Sequence, residues 1–258
     1  MRFLLYNIRY GAGIGRKVHF PFPYIGYLKR TNGNFKQIAD FIKSQTPDIT
    51  GLLEVDSGSF RSERNNQAEE IAREMKQNYV YQCKYSQNSV TQKLPVFNRQ
   101  GNALLTHLNI KSKRFHYFND GIKRLVMELE LEAVTIFLVH LSLKFRHRQN
   151  QLRDLYSILK DVRRPVIVAG DFNAFWGDKE LQLFLAATGL KSVNGKGRPS
   201  HPSRAPRREL DFILHGPEIR SKGFRVPQVK FSDHVPLIFD FEIKPKNASK
   251  RRHRLLLD

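Results

Sequence analysis

The sequence predicts an α/β domain built on a mixed β-sheet. Short β-type runs alternate with stretches of helical period along most of the chain. The runs over 124–131 and 134–140 are joined too briefly for a parallel crossover, so part of the sheet is antiparallel. Several of the most apolar runs also stop abruptly on an acid, an amide or an imidazole.

Taken in order, FLLYN reads as the first strand and FKQIADFIKS as a helix, with Phe35, Ile38 and Ile42 at steps of three and four. Pro47 biases Thr46 away from helical geometry and closes that helix. DITGLLEV is the second strand, and NNQAEEIAREMK starts a second helix near Asn65. Strands are expected around 101–107, 124–131 and 134–140. Between Phe145 and Arg163, Leu152, Leu155, Leu159 and Val162 form one apolar face of a helix that feeds the strand PVIVAG. DKELQLFLAAT reads as a short helix, and strands at 211–214 and 235–243 complete the set. With no internal repeat or low-complexity linker, residues 1–243 read as a single domain followed by a basic tail, KPKNASKRRHRLLLD, over 244–258.

A chain of 258 residues that is 40% hydrophobic can bury a substantial core. Its 44 Lys+Arg against 24 Asp+Glu give a formal charge of +20, which bears on partners rather than on fold. Nucleic acid and an anionic membrane surface are the two partners that such a charge suits, and no feature calls for an obligate protein partner. Cys83 is the only cysteine, which excludes an intrachain disulfide or a thiolate metal cluster. The apolar run in MRFLLYN is too short for a signal-peptide core and no segment has the length of a membrane span, so a soluble, cytoplasmic protein is expected.

The polar residues at strand ends carry the chemistry. Asn7 follows FLLY, Glu54 follows ITGLL, His140 follows TIFLV, and Asp171 and Asn173 follow VIVAG. Asp211 opens DFIL, and Asp233 and His234 open VPLIF. In a mixed sheet the carboxyl ends of some strands lie beside the amino ends of antiparallel neighbours, so these side chains can gather along one edge. If the extended backbone continues through Phe172, Asp171 and Asn173 point the same way. Asp233 and His234 are adjacent and face apart, which leaves Asp211 as the carboxylate best placed to orient the His234 imidazole. Without thiolates, carboxylates and amides suit a hard divalent cation: Mg²⁺, with Mn²⁺ as the alternative, bound by Glu54 and completed by water and substrate phosphate.

The stretches YNIRYG (6–11), LLEVD (52–56), GNALLT (101–106), VHLSLKFRHRQNQL (139–152), VAGDFNA (168–174), ELDFIL (209–214) and SDHVPL (232–237) resemble, in order and over nearly the whole chain, the endonuclease/exonuclease/phosphatase superfamily. The resemblance implies a two-sheet mixed β-sandwich flanked by helices, similar to deoxyribonuclease I, and metal-dependent hydrolysis of phosphoesters. It makes Glu54 the principal metal ligand with Asn7 and Asp233 near the metal, Asp171 the group that orients or deprotonates the attacking water, and Asn173 a ligand of a non-bridging phosphate oxygen. His140 and His234 would contact the phosphate, His234 backed by Asp211.

Departures from subfamily patterns narrow the substrate. Val-Asp follows Glu54 where abasic-site endonucleases have a basic pair, and Glu-Leu-Asp-Phe stands where inositol-polyphosphate phosphatases show Trp-Cys-Asp-Arg. Both branches are disfavoured, which leaves nuclease-, deadenylase- and sphingomyelinase-like branches. Lys144, Arg146 and Arg148 after His140, with Arg198, Arg204, Arg207 and Arg208 before Asp211, form a basic rim suited to a polynucleotide. The segment GRKVHFPFPYIGYLKRT, aromatic and basic over residues 17–31, suits a membrane interface, base stacking, or a loop folded back over the sheet. Three readings follow: a Mg²⁺-dependent nuclease acting on DNA or RNA, a phospholipid or sphingolipid phosphodiesterase at a membrane surface, and a non-catalytic nucleic-acid-binding module.

Overall fold

Alternate residues of the apolar strands face two different interiors. In β1 (Arg2–Asn7), Phe3 and Leu5 enter one core while Leu4 and Tyr6 enter another, and every one of them is buried. That is why FLLYN lacks an apolar–polar alternation: a strand covered on both faces needs none.

The computed structural model describes residues 1–14, 31–84, 97–121 and 123–245. Most of the 17–31 segment and of the basic tail lie outside them. The remaining strands are β2 (Ile49–Asp56), β3 (Asn78–Cys83), β4 (Gln100–Thr106), β5 (Ile110–Tyr117), β6 (Leu125–Leu131), β7 (Thr135–His140), β8 (Val166–Asp171), β9 (Lys191–Ser192), β10 (Asp211–His215), β11 (Ile219–Arg225) and β12 (Leu237–Ile243). They form two six-stranded sheets, ordered β11-β12-β1-β2-β4-β3 and β5-β6-β7-β8-β10-β9. β1 runs parallel to β2 and β7 parallel to β8, while the other described pairings are antiparallel. The fold is thus the two-sheet mixed sandwich that the resemblance implied.

Phe3, Leu5, Leu53 and Phe239 from the first sheet meet Met127, Leu138, Ile167 and Ile213 from the second in the core between the sheets. Helices cover the outer faces. α1 (Asn32–Ser44) and α2 (Gln67–Met75) pack Phe35, Ile38, Ile42 and Ile71 against Leu4, Leu52 and Leu105. α3 (Phe145–Leu159) and α4 (Gln182–Thr188) pack Leu152, Leu155 and Phe184 against Phe137, Val168 and Phe212. α2 begins where expected because the Asn66 side chain accepts hydrogen bonds from the amides of Ala68 and Glu69. α3 ends before Val162, whose backbone amide turns to bond Leu159 while its side chain still packs on the same cluster. Neither β3, β5, β9 nor β11 was expected from the sequence; each lies at or beside the rim of a sheet, as an outermost strand.

Candidate active site

Asp171 ends β8 in the middle of the second sheet, and strand register determines its neighbours. His140 stands opposite it on parallel β7, and Asp211 stands opposite it on antiparallel β10. Gly170 permits this closeness: a Cβ there would lie 1.9 Å from the carbonyl oxygen of Val139. His140 Nε2 lies 3.2 Å from Asp171 Oδ2, and Asn7, at the end of β1 in the facing sheet, donates from Nδ2 to the same oxygen at 3.3 Å. All are buried. The carboxyl ends of the parallel pairs β1/β2 and β7/β8 therefore converge across the sandwich.

Glu54 owes its direction to a β-bulge. Leu52 pairs with Ala103 and Val55 with Gly101, so Leu53 and Glu54 together oppose Asn102. Glu54 takes a left-handed φ of 54° there, and its amide donates to the Asn102 side chain at 3.4 Å. Its carboxylate meets Lys123 Nζ at 3.7 Å and His140 Nε2 at 4.0 Å. Lys123 also contacts His140 Nε2 directly.

His234 supplies the second imidazole. Its Nδ1 lies 2.6 Å from Asp211 Oδ2 and its Nε2 3.9 Å from Asp171 Oδ2. Ser200 Oγ donates to Asp211 Oδ2 at 2.6 Å and accepts from the Asp211 amide at 3.1 Å, which locks the carboxylate behind the ring. His201 packs against His234, with ring centroids 4.7 Å apart.

Charge and burial oppose each other throughout. Burial would raise the Asp171 carboxyl, but His140, His234 and Lys123 hold it far below the usual carboxylate range. Burial would likewise raise Glu54, whereas Lys123, His140, Lys84 and His234 keep it below its ordinary value. His140 is pushed down, first by burial and then by Lys123, against the pull of Asp171 and Glu54. His234 goes the other way: burial opposes its positive charge, but Asp211, Asp171 and Asp233 push it up to about 10. The site thus favours the ionised form of Asp171 and Glu54, with one imidazole biased to neutrality and one biased to charge.

Three sequence expectations meet a different geometry. The backbone does not stay extended through Phe172; Asn173 adopts a left-handed φ of 49°, and its amide donates to Asp171 Oδ1 at 2.9 Å. The turn also directs Asn173 Nδ2 to the Leu141 carbonyl at 2.8 Å, which engages one of its two N–H donors. Asp233 pairs with Arg9 at 3.4 Å and groups with His201 and His234, whereas Glu54 sits with Lys123 and His140. Arg148 does not join a solvated rim: it is buried, with Nη2 2.5 Å from Glu180 Oε2. Lys144, Arg146, Arg198, Arg204, Arg207 and Arg208 are exposed.

Sequence reasoning missed Lys123, Asn102, Ser200 and Lys84. Lys123 and Asn102 were within its reach, because each stands near the amino end of an apolar strand that runs antiparallel to a site strand, the relation that singled out Asp211. Lys84 follows β3, an outermost strand with no clear pattern; burial pushes its ammonium down to about 8 although Glu54 pulls the other way.

The donors suit a hard divalent cation. Glu54 and Asn7 offer oxygens, thiolates are absent from their contacts, and Glu54 already draws positive charge to itself in Lys123. Asp171, Asp211 and His234 also bring ligand-type atoms within 4.8 Å of one another, but the hydrogen bond between Asp211 and His234 makes that group an orienting network.

The sandwich, with carboxylates, imidazoles and amides at converging strand ends, has the architecture of a phosphoester-hydrolase scaffold. The chain belongs to the Endonuclease/Exonuclease/phosphatase family, whose sequence model matches residues 4–234; members of that family hydrolyse phosphoester bonds. Among curated relatives, a UPF0294 protein of Yersinia pseudotuberculosis is 38% identical over 116 residues, 43% of each chain. YbhP of Escherichia coli, itself uncharacterized, is 32% identical over 158 residues, 53% of this chain and 60% of its own. These matches span less than two thirds of either relative. Solved structures share the fold: a family member from Beutenbergia cavernae aligns at TM-score 0.72 and 16% identity, over 94% of this chain and 71% of its own. The human nocturnin catalytic domain with bound sulfate aligns at 0.66 and 18%, over 95% and 93%. A Bacteroides thetaiotaomicron mannosyl-6-phosphatase aligns at 0.70 and 12%, over 94% and 100%.

Proposed function

We propose that the chain is a divalent-metal-dependent phosphodiesterase that cleaves nucleic acid. The observation that carries the chemistry is the meeting of His140, Asp171 and Asp211 through strand register, with Asn7 from the facing sheet, His234 and Glu54 completing the set. Ionised Asp171 takes the proton of a water aligned for in-line attack on phosphorus. Charged His234, held by Asp211, donates from Nε2 to a non-bridging oxygen, and Lys123 and the remaining Asn173 N–H stabilise charge on the same group. Glu54 and Asn7 would hold the metal, with Asp233 beside His201 and His234; when bound, the metal would polarise the phosphoryl oxygen and acidify water.

Substrate choice rests on the rim. The segments that follow β7 and precede β10, the first turn of α3 included, expose Lys144, Arg146, Arg198, Arg204, Arg207 and Arg208, so positive charge flanks the cluster on two sides. A phosphate backbone releases counterions along such a track, whereas a single headgroup engages only part of it. Among the described residues no helix is long and apolar enough to cross a membrane.

The test compares wild type with Glu54→Ala on linear DNA, supercoiled DNA, RNA, and sphingomyelin or phosphoinositide vesicles, with Mg²⁺ or with EDTA. Metal-dependent nucleic-acid cleavage that is lost in the variant is the expected result. Lipid turnover without nucleic-acid cleavage would reassign the substrate, and nucleic-acid binding without any turnover would leave a binding module.

A further inference from the structure

Two aromatic side chains beside the reacting cluster are held in water. Phe145 is 49% exposed and Trp176 is 71% exposed, with ring centroids 5.7 Å apart. Phe145 opens α3, five residues past His140, and Trp176 lies three residues past Asn173, within about 11 Å of chain. Packing does not place these rings, because folding leaves much of both uncovered.

A buried ion pair holds them instead. The Arg148 guanidinium bonds Glu180 Oε2 at 3.0 and 2.5 Å and the carbonyls of Ser142 and Leu143 at 3.2 and 2.6 Å, and it lies 5.7 Å from the Phe145 ring centroid. Glu180 Oε1 accepts the Trp176 amide at 3.1 Å. One interaction therefore ties the first turn of α3, which carries Phe145, to the segment after β8, which carries Trp176, and the pair is organised before any ligand arrives.

We propose that Phe145 and Trp176 form a stacking platform for a nucleobase adjacent to the phosphate bound at the Asp171 cluster. The proposal rests on the nucleic-acid reading above and deepens it, because it gives bases as well as phosphates a contact. An unpaired base offers a π-face whatever its identity, so the platform confers a preference for single-stranded substrate with little sequence selectivity. Exposed Lys144, Arg146 and Lys179 flank the two rings along the chain and suit the backbone that carries the base. The alternation Leu143-Lys144-Phe145-Arg146 interrupts apolar surface with charge at every second position, which favours a nucleic acid over insertion into lipid.

Trp176 is the chain's single tryptophan, so intrinsic fluorescence reports this position alone. Wild-type protein in EDTA is titrated with a single-stranded oligodeoxynucleotide, with an abasic oligomer of the same length and charge, and with anionic phospholipid vesicles. The platform predicts quenching by the base-bearing strand well beyond that by the abasic one. It also predicts that Trp176→Ala raises KM for the base-bearing strand about ten- to hundredfold and changes kcat by less than about threefold, with Trp176→Phe recovering most of the loss. Leu183→Ala, on the exposed outer face of α4, serves as the control and leaves both constants unchanged. Equal quenching by the two oligomers, or an unchanged KM in Trp176→Ala, overturns the proposal; a blue shift on vesicles without a response to either strand overturns it in favour of a lipid surface. Absence of any nucleic-acid cleavage by wild type would refute the nuclease reading, while the titration in EDTA would still decide whether the rings receive a base.

Discussion

His140 and Asp171 face each other in register at the carboxyl ends of two parallel strands, with Nε2 3.2 Å from Oδ2. The pair joins an imidazole biased toward neutrality to a carboxylate held ionised. Asn7 and Asp211 approach that carboxylate from other strands, so its charge is central to the site.

Asp171→Asn keeps the side chain's volume and removes that charge. We expect kcat to fall by roughly 10²- to 10⁴-fold, the usual loss on removing a general base, with the circular-dichroism spectrum unchanged. Steady-state kinetics on a cleaved substrate check this, and a rate within threefold of wild type would remove Asp171 from the role of base.

Gly170→Ala tests the geometry rather than the charge. Its Cβ would lie 1.9 Å from the Val139 carbonyl oxygen, so β7 and β8 must separate where they hold His140 against Asp171. Overpacking of this kind lowers Tm by roughly 5–10 °C in a chain of this size, and turnover should fall with it. Calorimetry beside kinetics would show whether the two losses coincide.

Asp56, next to the bulge that directs Glu54, forms a fully buried pair with Arg61 at 2.7 Å and also accepts the amides of Gly58 and Ser59. Arg61→Met leaves that carboxylate without its partner and should cost about 3–5 kcal/mol of stability. Arg73→Met, on the exposed face of α2, should stay within about 0.5 kcal/mol of wild type. Urea titrations of both variants provide the comparison.

Glu209 predicts a pH dependence of stability. Burial, reinforced by Asp178 and Asp211, raises its carboxyl to about 7 from an ordinary 4.5, although Asn194 donates to it at 2.7 Å. The folded state therefore holds this proton more tightly than the unfolded chain. The stability it contributes is complete below pH 4.5 and is lost as pH rises through 7. In Glu209→Gln, the part of the Tm decline across that window due to this group should disappear, which a thermal-melt series from pH 4 to pH 8 would reveal.

What the sequence alone determined follows from where the chain is covered on both sides. FLLYN, ITGLLEV, TIFLV and VIVAG lie between the inter-sheet core and a helix layer, so their apolar runs are continuous and the polar residue that ends each run stands out. The helices α1 and α3 were equally legible, because each buries a single stripe. NYVYQC, IKSKRFHY and IRSKGFR are outermost strands that expose much of their length to water, so no period marked them. Apart from Asp211 behind His234, which the spacing already favoured, only tertiary structure decided the partnerships. Lys123 beside His140, Ser200 behind Asp211, Arg9 on Asp233 and Arg148 drawn inward by Glu180 join residues far apart in sequence, through strand register and loop closure. The left-handed turn at Asn173 is local, yet Leu141 on the neighbouring chain segment holds the side chain there. A strand end announces that a polar group will sit at the sheet's edge; which groups meet there depends on how both sheets stack, and that is a property of the whole folded chain.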